Sequence, residues 1–510
     1  MTRSEELSLP TRHGEVLCVP EFGRWLEVAE QNARRLESQR VLRELREQAR
    51  RELVQRAGAL LERWGLHRPE VGAGPWVGTG HQPALYHPGI WIRTWAVAAC
   101  QQRGAVGVHV GVDSDECERF GARVPRRDDG RLRVVERVLA EGGRDVPFEC
   151  LPAPAEEAWR AFCARLQEDV ATLGLPEVEG RLARAERAGL ASLARARHLG
   201  EFGAGLRRHL ELDCAPVRYL EVTASELSRT RAFARFASWI AQDAERFWAC
   251  HNQALEDYRR QQDLRSPAQP FPNLRREGGR VELPFWLVRD GVRQPVFVQP
   301  NRPPVAFCRG AAVGELSEEG LEGLRPRAVT LTLFLRLAVC DLFVHGLGGA
   351  RYDRVTDRLV REFFDVEPPP FAVLTATYHL PLARHPDPRA AYQTAQRLWQ
   401  DLHHNPDRHL PRDGEVANLV EEKWRCIQAL EAPGLPRRTR RELTQRIRAL
   451  NEALRARLQD RIRQVEAELE SLRRDVEEHQ VAADRTYPFF LFDPELLRTY
   501  FRAREEARCR

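Results

Sequence analysis

A short run, Thr79-Gly80-His81-Gln82, combines residue types that bind small polar molecules. Gly80 permits a tight turn, and the Thr79 hydroxyl and Gln82 amide can form hydrogen bonds. His81 can donate to an anion or exchange a proton. The run is predicted to form a loop between a strand and a helix, where backbone N–H groups point outward. We predict a small-molecule pocket with His81 and Gln82 catalytic and Thr79 and Gly80 binding substrate; the alternative is a structural turn with a helix-capping histidine.

Three acids follow the next predicted strand. Asp113, Asp115 and Glu116 could hold a magnesium ion, bind a sugar hydroxyl or bind an amine. The alternative is that they are solvated acids in a loop. We predict that Asp113 is catalytic and that Asp115 and Glu116 bind substrate.

A third candidate site is the run His345-Gly-Leu-Gly-Gly-Ala-Arg-Tyr-Asp353. Its glycines let the backbone approach a ligand, and Arg351 can bind a carboxylate or phosphate bidentately. A structural helix cap would need only one glycine. We therefore predict a loop that binds substrate through His345, Gly348, Gly349, Arg351, Tyr352 and Asp353.

His87-Pro88-Gly89-Ile90 is similar to the HxGH motif of class I nucleotidyltransferases and aminoacyl-tRNA synthetases, whose histidines stabilise phosphate charge during adenylyl transfer. Ile90 stands where the second histidine would be. Lys423 is the only lysine among the 79 basic residues, so the lysine-rich loop of that mechanism is absent. We predict that His87 binds substrate and expect no lysine-based catalysis.

The elements that must position these residues follow the pattern of a parallel sheet. Residues 75–78 predict a strand, 92–99 a helix, and 106–112 a second, apolar strand. This strand-helix-strand unit builds α/β sheets, and ligands bind at the carboxyl ends of the strands. The Thr79 run and the three acids both fall at such ends.

Further elements are predicted from periodicity and turn residues. They are a hairpin-like excursion at 124–146, helices over 155–202, a strand at 217–223, an amphipathic helix over 225–258 and a hairpin at 281–298. The apolar segment Leu331–His345 predicts a buried helix, capped by Gly346 before the glycine-rich loop.

A long apolar stripe marks the C-terminal part. Apolar residues recur every three or four positions from Leu443 to Val476, with charges between them, as in a coiled coil. One helix of this length would span about 50 Å and needs a partner. Residues 416–430 or a second subunit could supply it. The apolar segment Tyr487–Phe492 is expected to pack back onto the main body.

Composition narrows the function classes. The 510 residues, 43% of them hydrophobic, can bury at least one large core. A net charge of +5 with interspersed signs argues against a dedicated nucleic-acid binder. Eleven scattered cysteines without a CxxC pair fit a reducing cytoplasm. The N-terminus lacks the apolar core of a signal peptide, and Arg336 and Asp341 interrupt the longest apolar stretch, so no membrane partner is expected.

Three segments together resemble the bacillithiol biosynthesis cysteine-adding enzyme family, BshC. The family's TGQQPGLLGGPLY-type loop is similar to Thr79–Trp91, its acid-rich strand end to Val112–Glu116, and its late glycine-containing loop to Gly346–Tyr352. With the coiled coil, the resemblance covers most of the chain. The chain departs from the family at His81, which replaces a glutamine, and near Asp115, where the family's histidine has no counterpart. The late loop also reads Gly-Gly-Ala-Arg-Tyr-Asp instead of Gly-Gly-Pro-Gly-Glu.

The resemblance implies an α/β protein with a Rossmann-like parallel-sheet core, inserted segments and a C-terminal α-helical coiled coil that forms a homodimer. It implies a ligase that joins cysteine, or a similar amino acid, to an amino-sugar acceptor such as glucosaminyl malate. Activating the carboxyl group would require a nucleotide, ATP or ADP with magnesium, although the sequence contains no P-loop. The alternative is a noncatalytic small-molecule-binding or coiled-coil assembly protein on the same fold.

Four segments are expected along the chain. They are an N-terminal helical segment at 1–70, the Rossmann-like core at 71–380 with an insertion around 124–210, a helical coiled-coil domain at 381–480 and a segment at 481–510 that packs on the core.

Overall fold

The computed structural model of the protein describes residues 7–266, 268–300, 304–382 and 386–506. The chain forms two compact units. The core unit consists of the described parts of Met1–Arg126, Val134–Leu380 and Arg485–Arg510, and the helical unit consists of those of Arg127–Arg133 and Pro381–Asp484. The chain therefore leaves the core unit after Leu380 and returns to it at Arg485.

Strands and helices are both abundant, so the predicted α/β class is confirmed. The strands are β1 (Glu15–Val19), β2 (Trp76–His81), β3 (Val106–Gly111), β4 (Arg119–Asp128), β5 (Arg131–Glu141), β6 (Leu220–Thr223), β7 (Arg276–Glu277), β8 (Arg280–Arg289), β9 (Val292–Val298), β10 (Val305–Cys308), β11 (Ala311–Glu315), β12 (Leu324–Pro326), β13 (Leu342–His345) and β14 (Phe371–Thr377). The helices are α1 (Trp25–Glu37), α2 (Arg40–Arg63), α3 (Pro88–Gln102), α4 (Glu156–Ala171), α5 (Pro176–Leu193), α6 (Leu199–Cys214), α7 (Ala224–Leu227), α8 (Arg231–Gln242), α9 (Ala244–Gln261), α10 (Ala328–Phe334), α11 (Leu347–Glu362), α12 (Arg389–His404), α13 (Gly414–Leu430), α14 (Arg437–Ala456), α15 (Gln459–Ala482) and α16 (Pro494–Glu506).

The main sheet contains five parallel strands in the order β14-β13-β2-β3-β6, and β1 pairs antiparallel with β14. The inner strand β3, between β2 and β6, is buried along its whole length, in agreement with a sequence that is apolar except for His109. From β2 the chain proceeds to β3 and β6 on one side, and later places β13 and β14 on the other side. The strand order thus reverses between β2 and β13, where parallel sheets leave a crevice at the carboxyl ends of their strands.

The prediction of one buried helix over Leu331–His345 is wrong in its second half. Helix α10 passes into a π-helical turn at Leu335–Val339, and Leu342–His345 is β13 in the middle of the sheet. A short apolar run looks alike in a buried helix and in a buried strand, so periodicity does not separate them. Asp341 ends the helical part by accepting hydrogen bonds from the Trp76 backbone at 2.7 Å and pairing with Arg46 and Arg50.

Three more predictions require correction. The glycine-rich segment after Gly346 is the first two turns of α11, so Gly346 begins this helix and does not cap the preceding one. The N-terminal segment is not purely helical, because Glu15–Val19 forms the edge strand β1. The helix predicted over 225–258 is divided into α7, α8 and α9, with Thr223 and Thr230 capping the first two.

A second sheet and a hairpin complete the core unit. The strands β11-β10-β9-β8-β12 form an antiparallel sheet to which β7 is added, and the predicted hairpin is the β8–β9 pair. The predicted hairpin-like excursion is the β4–β5 pair, and the helices α4, α5 and α6 follow it. Helix α6 packs its Arg207 against β3 and β6, so the end of this predicted insertion belongs to the sheet's own core.

The helical unit contains α12 to α15. The predicted continuous helix over Leu443–Val476 is instead two helices, because α14 ends at Ala456 and α15 begins at Gln459. Leu454 packs with Val416 and Val420 of α13, and Val465 packs with Leu402 and Leu458. Of the described helices in the chain, none is both long and apolar enough to cross a membrane.

Candidate functional site

A cavity of about 510 Å³ lies at the carboxyl ends of β2 and β13, between the starts of α3 and α11. This is the place where the strand order reverses. Most of the predicted site residues line it: Gly80, His81, Gln82, His87, Asp115, His345, Gly348, Gly349, Arg351 and Tyr352. The structure therefore brings together three sequence segments that were identified separately.

Four predicted site residues do not line this cavity. Thr79 is buried, and its hydroxyl donates to the Val344 carbonyl at 2.8 Å, joining β2 to β13. Asp113 is also fully buried and accepts from the Ser225 backbone N–H at 2.9 Å and from the Ser225 hydroxyl at 2.5 Å. Burial raises the pKa of Asp113. The other two are Glu116, which pairs with Arg293, and Asp353, which lies within hydrogen-bonding distance of His345.

The acids do not assemble as a cation site. Glu116 and Asp115 each pair with Arg293 at 2.8 Å, and Asp115 also accepts from the Gln82 amide at 2.5 Å. Asp113 faces Ser225 instead. Within the described residues, no group of three or more histidine, cysteine or acidic side chains is arranged to hold a metal ion. These residues do not fit the magnesium ion considered from sequence, and Asp115 holds the Gln82 side chain in place instead.

His81 ends β2 and is held by its own backbone. Its Nδ1 lies 3.1 Å from the Gln82 carbonyl, which can only accept, so Nδ1 carries the proton and Nε2 is an acceptor. Its ring meets the Tyr86 ring edge-on, with 5.0 Å between the centroids. Burial, followed by the charge of Arg93, lowers the pKa of His81 to about 3. His81 is therefore a neutral hydrogen-bonding group at physiological pH.

His345 ends β13 and has a carboxylate partner. Its Nε2 lies 2.9 Å from Oδ2 of Asp353, which is fully buried on α11. Arg336, on the π-helical turn, donates to the same oxygen at 2.5 Å. Burial alone would raise the pKa of Asp353, but Arg336 and His345 lower it to about 2. The ring of His345 is also held edge-on between Phe343 and Phe371.

The N-terminus of α11 faces the cavity. Gly346 is the N-cap and has no side chain to cap the helix, and no acid lies in the first turn. Leu347, Gly348 and Gly349 line the cavity, and their backbone N–H groups belong to the first turn, in which N–H groups find no acceptor within the helix. Arg351 also lines the cavity, is exposed, and forms no ion pair with the residues that the structure describes. This end of α11 is suited to bind an anion.

Arg93 is the main residue that the sequence reasoning missed. It is only 6% exposed and lines the cavity from α3. Its guanidinium makes one long hydrogen bond, to the Ile90 carbonyl at 3.4 Å, and has no carboxylate partner among the described residues. Burial lowers its pKa to about 10, which leaves it charged at neutral pH. A signal was present in the sequence, because Arg93 is the only charged residue in the helix Pro88–Gln102.

Arg93 lies beside the start of α11. A Cβ atom placed on Gly346 would be 3.7 Å from Cζ of Arg93. The positive side chain and the positive helix end therefore act on the same part of the cavity. Arg485, on the segment that returns from the helical unit, also lines the cavity and donates to the Ala376 carbonyl at 2.6 Å.

Apolar residues also line the cavity: Val112, Ala328, Leu331, Leu335, Phe343 and Leu347. A lining that is partly cationic and partly apolar suits a small molecule that has both an anionic group and a less polar part.

His87, which also lines the cavity, accepts from the Gly89 backbone N–H at 3.1 Å and so caps α3. The helix-capping role considered for His81 is thus performed by His87.

The chain matches no protein-family model and no curated protein sequence.

Proposed function

We propose that this cavity binds the anionic group of a small substrate and that the protein is a BshC-like ligase. It would join cysteine, or a similar amino acid, to an amino-sugar acceptor such as glucosaminyl malate. The observation that carries the proposal is Arg93, a buried guanidinium that has no counter-ion among the described residues and lines the cavity.

The electrostatics favour a carboxylate or phosphate ligand. A buried charge without a partner is costly, and the cost falls when a ligand supplies the opposite charge. Arginine binds carboxylates through two parallel hydrogen bonds, and the free N–H groups at the start of α11 add further donors. A malate group carries two carboxylates, which Arg93 and the start of α11 could bind together with Arg351.

The topology supports the Rossmann-like part of the proposal. The order β14-β13-β2-β3-β6 is the classic doubly wound order of five parallel strands, read from the last strand toward the third. In such sheets ligands bind at the point where the order reverses, which is where the cavity lies. The activating nucleotide is proposed as a co-substrate, and the magnesium that would accompany it has no carboxylate site here.

The test uses the full-length protein and two measurements. Calorimetry measures malate binding, and mass spectrometry follows product formation from cysteine, glucosaminyl malate and ATP. We expect Arg93→Gln to lower malate affinity by about 10- to 100-fold, corresponding to the loss of one charged hydrogen-bonding partner. Arg34→Gln, at an exposed position of α1, is the matched control.

The two measurements separate the alternatives. Malate binding that depends on Arg93, without any product, would favour the noncatalytic binding protein over the ligase. Malate affinity that is the same in wild type and Arg93→Gln would reject the anion site itself. We also propose that the protein acts in the cytoplasm as a homodimer through its helical unit.

A further inference from the structure

Three of the described histidines line the cavity. His87 caps α3 by accepting from the Gly89 backbone N–H, and the surroundings of the other two, His81 and His345, differ. His345 and His81 end neighbouring parallel strands, with Val344 opposite Thr79 in the register. His81 bonds to a backbone carbonyl and has a lowered pKa, which makes it a weak base. His345 bonds to a buried carboxylate.

We propose that His345 is the general base of this cavity, oriented by Asp353, and that it takes the proton from the amine during amide formation. The inference rests on the proposed ligase function and assigns a step within it. Asp353 does not line the cavity, so it is a positioning residue, and Arg336 fixes Asp353 in turn.

The tautomer follows from the partners. Asp353 is held as an anion by Arg336, so it can only accept, and the Nε2 of His345 must carry the proton. The lone pair of the neutral ring is then on Nδ1. Among the described residues, Nδ1 of His345 forms no hydrogen bond, and Gly349 lies beside it without a side chain.

Gly349 explains how a ligand reaches this nitrogen. A Cβ atom added at Gly349 would lie 2.7 Å from Nδ1 of His345, closer than side-chain atoms normally approach. Gly349 and His345 both line the cavity. The glycine therefore leaves Nδ1 open to the cavity, whereas any other residue would cover it.

The proposed step has two reactants, an amine and an activated acyl group. The acyl group is a mixed anhydride of a carboxylic and a phosphoric acid. The lone pair of the neutral amine attacks the carbonyl carbon and forms the C–N bond. The bond from that carbon to the phosphoryl oxygen breaks, and the phosphate leaves with the electron pair. Nδ1 of His345 accepts the proton released from nitrogen, and Asp353 stabilises the resulting imidazolium.

Besides His345, titratable or charged side chains of the described residues line the cavity at seven positions. They are His81, His87, Arg93, Asp115, Arg351, Tyr352 and Arg485. None of them is altered in the variants that follow, so their titration is common to every profile.

The experiment compares kcat and its pH profile for the full-length protein with cysteine, ATP and glucosaminyl malate. We expect His345→Gln to lower kcat about 100-fold or more, and to remove the acidic limb of the profile, while malate still binds. Asp353→Asn should lower kcat and move the acidic limb to lower pH, because the imidazolium loses its anionic partner.

Substitutions at two glycines test the assignment without changing the buried ion pair between Arg336 and Asp353. Gly349→Ala leaves Asp353 and Arg336 in place but covers Nδ1, whereas a Cβ atom at Gly180, on α5 and outside the cavity lining, meets nothing within 4 Å. We expect kcat for Gly349→Ala to be at least about tenfold below that for Gly180→Ala. Wild-type kcat and an unchanged acidic limb in His345→Gln would overturn the assignment. A wild-type protein that forms no product overturns the proposed function and this step with it.

Discussion

His81 and His345 illustrate how neighbouring atoms give different properties to the same residue type. His81 donates to a backbone carbonyl and lies near the positive charge of Arg93. His345 donates to a carboxylate that is itself fixed by Arg336. The sequence predicted His81 as a catalytic residue because it stands in what was predicted to be a glycine-containing loop. Both partners, Gln82 and Asp353, are close in sequence, but whether a ring meets a backbone carbonyl or a carboxylate depends on the backbone geometry at the strand ends, so sequence reasoning could not rank the two histidines.

The pKa of His81 predicts a pH dependence of folding stability. Its pKa falls from 6.5 to about 3 on folding, so between these values the unfolded chain binds more protons at this site. Stability from the neutral ring is complete above pH 6.5 and is lost as the pH falls toward 3, by up to about 1.4 kcal/mol per pH unit. His81→Gln should remove this component.

Urea unfolding of wild type and His81→Gln at pH 7.5, 6.0 and 5.0 checks this prediction. The free energy of unfolding of the variant should fall less steeply on acidification than that of wild type. His67→Gln, at an exposed histidine, should follow the wild-type slope. Parallel curves for wild type and His81→Gln would contradict the prediction.

At the scale of elements, a fully buried polar network joins α3 and α6 to the sheet. Arg207 on α6 donates to Glu221 on β6 at 2.6 Å, and His109 on β3 lies 2.7 Å from the same carboxylate. Glu211 accepts from the Trp91 indole at 2.8 Å and from the Thr94 hydroxyl at 2.7 Å. Each charge has an opposite partner, so removing one would leave another unpaired in the core.

Glu221→Gln is therefore expected to lower the free energy of unfolding by about 3 kcal/mol at pH 7. Burial alone would raise the pKa of Glu221, but Arg207 and His109 lower it to about 2. Its stabilising effect is present above pH 4.5 and is lost as the pH falls toward 2, so the difference between variant and wild type should shrink on acidification.

Chemical denaturation at pH 7 and pH 4 provides the measurement. The control is Glu136→Gln, which removes an exposed pair with Arg119 at 3.7 Å and should change stability by less than about 1 kcal/mol. Equal losses in the two variants would show that the buried network is not specially stabilising.

The sequence was informative about elements with clear periodicity and less so about central ones. The order β2, α3, β3 was predicted, because an apolar segment precedes the helical pattern and another follows it, and a glycine-containing segment separates the first from the helix. Strand β13 was predicted as helix, since its three apolar residues, Leu342 to Val344, are too few to show a period of their own. The start of α11 was predicted as loop because of its glycines, although these residues bring the backbone close to the His345 ring.

At the scale of the whole molecule, the sequence predicted the α/β class but not how distant segments meet. The cavity combines residues from β2, α3, β13 and α11 with Arg485 beyond the helical unit. Arg93 and Arg485 belong to no motif, and their roles depend on the strand order. Strand order depends on long-range pairing, which a local pattern does not encode.

The helical unit leaves part of its apolar stripe incompletely covered. Leu472 and Val476, in the second half of α15, are only half-buried, whereas Val465 in the first half is fully buried. Because apolar side chains at this spacing pack against a partner helix in coiled coils, a second copy of the chain is the proposed partner.

Leu472→Glu is therefore expected to convert a homodimer into a monomer, since a charge at the seam would lose water without gaining a partner. Sedimentation equilibrium over a range of protein concentrations measures the mass directly, and circular dichroism verifies that the variant remains helical. Ser471→Glu, at the adjacent exposed position, should leave the mass unchanged. A wild-type protein that sediments as a monomer at all concentrations would contradict the proposed dimer, and α15 would then be a helix whose apolar stripe is simply half-covered within one chain.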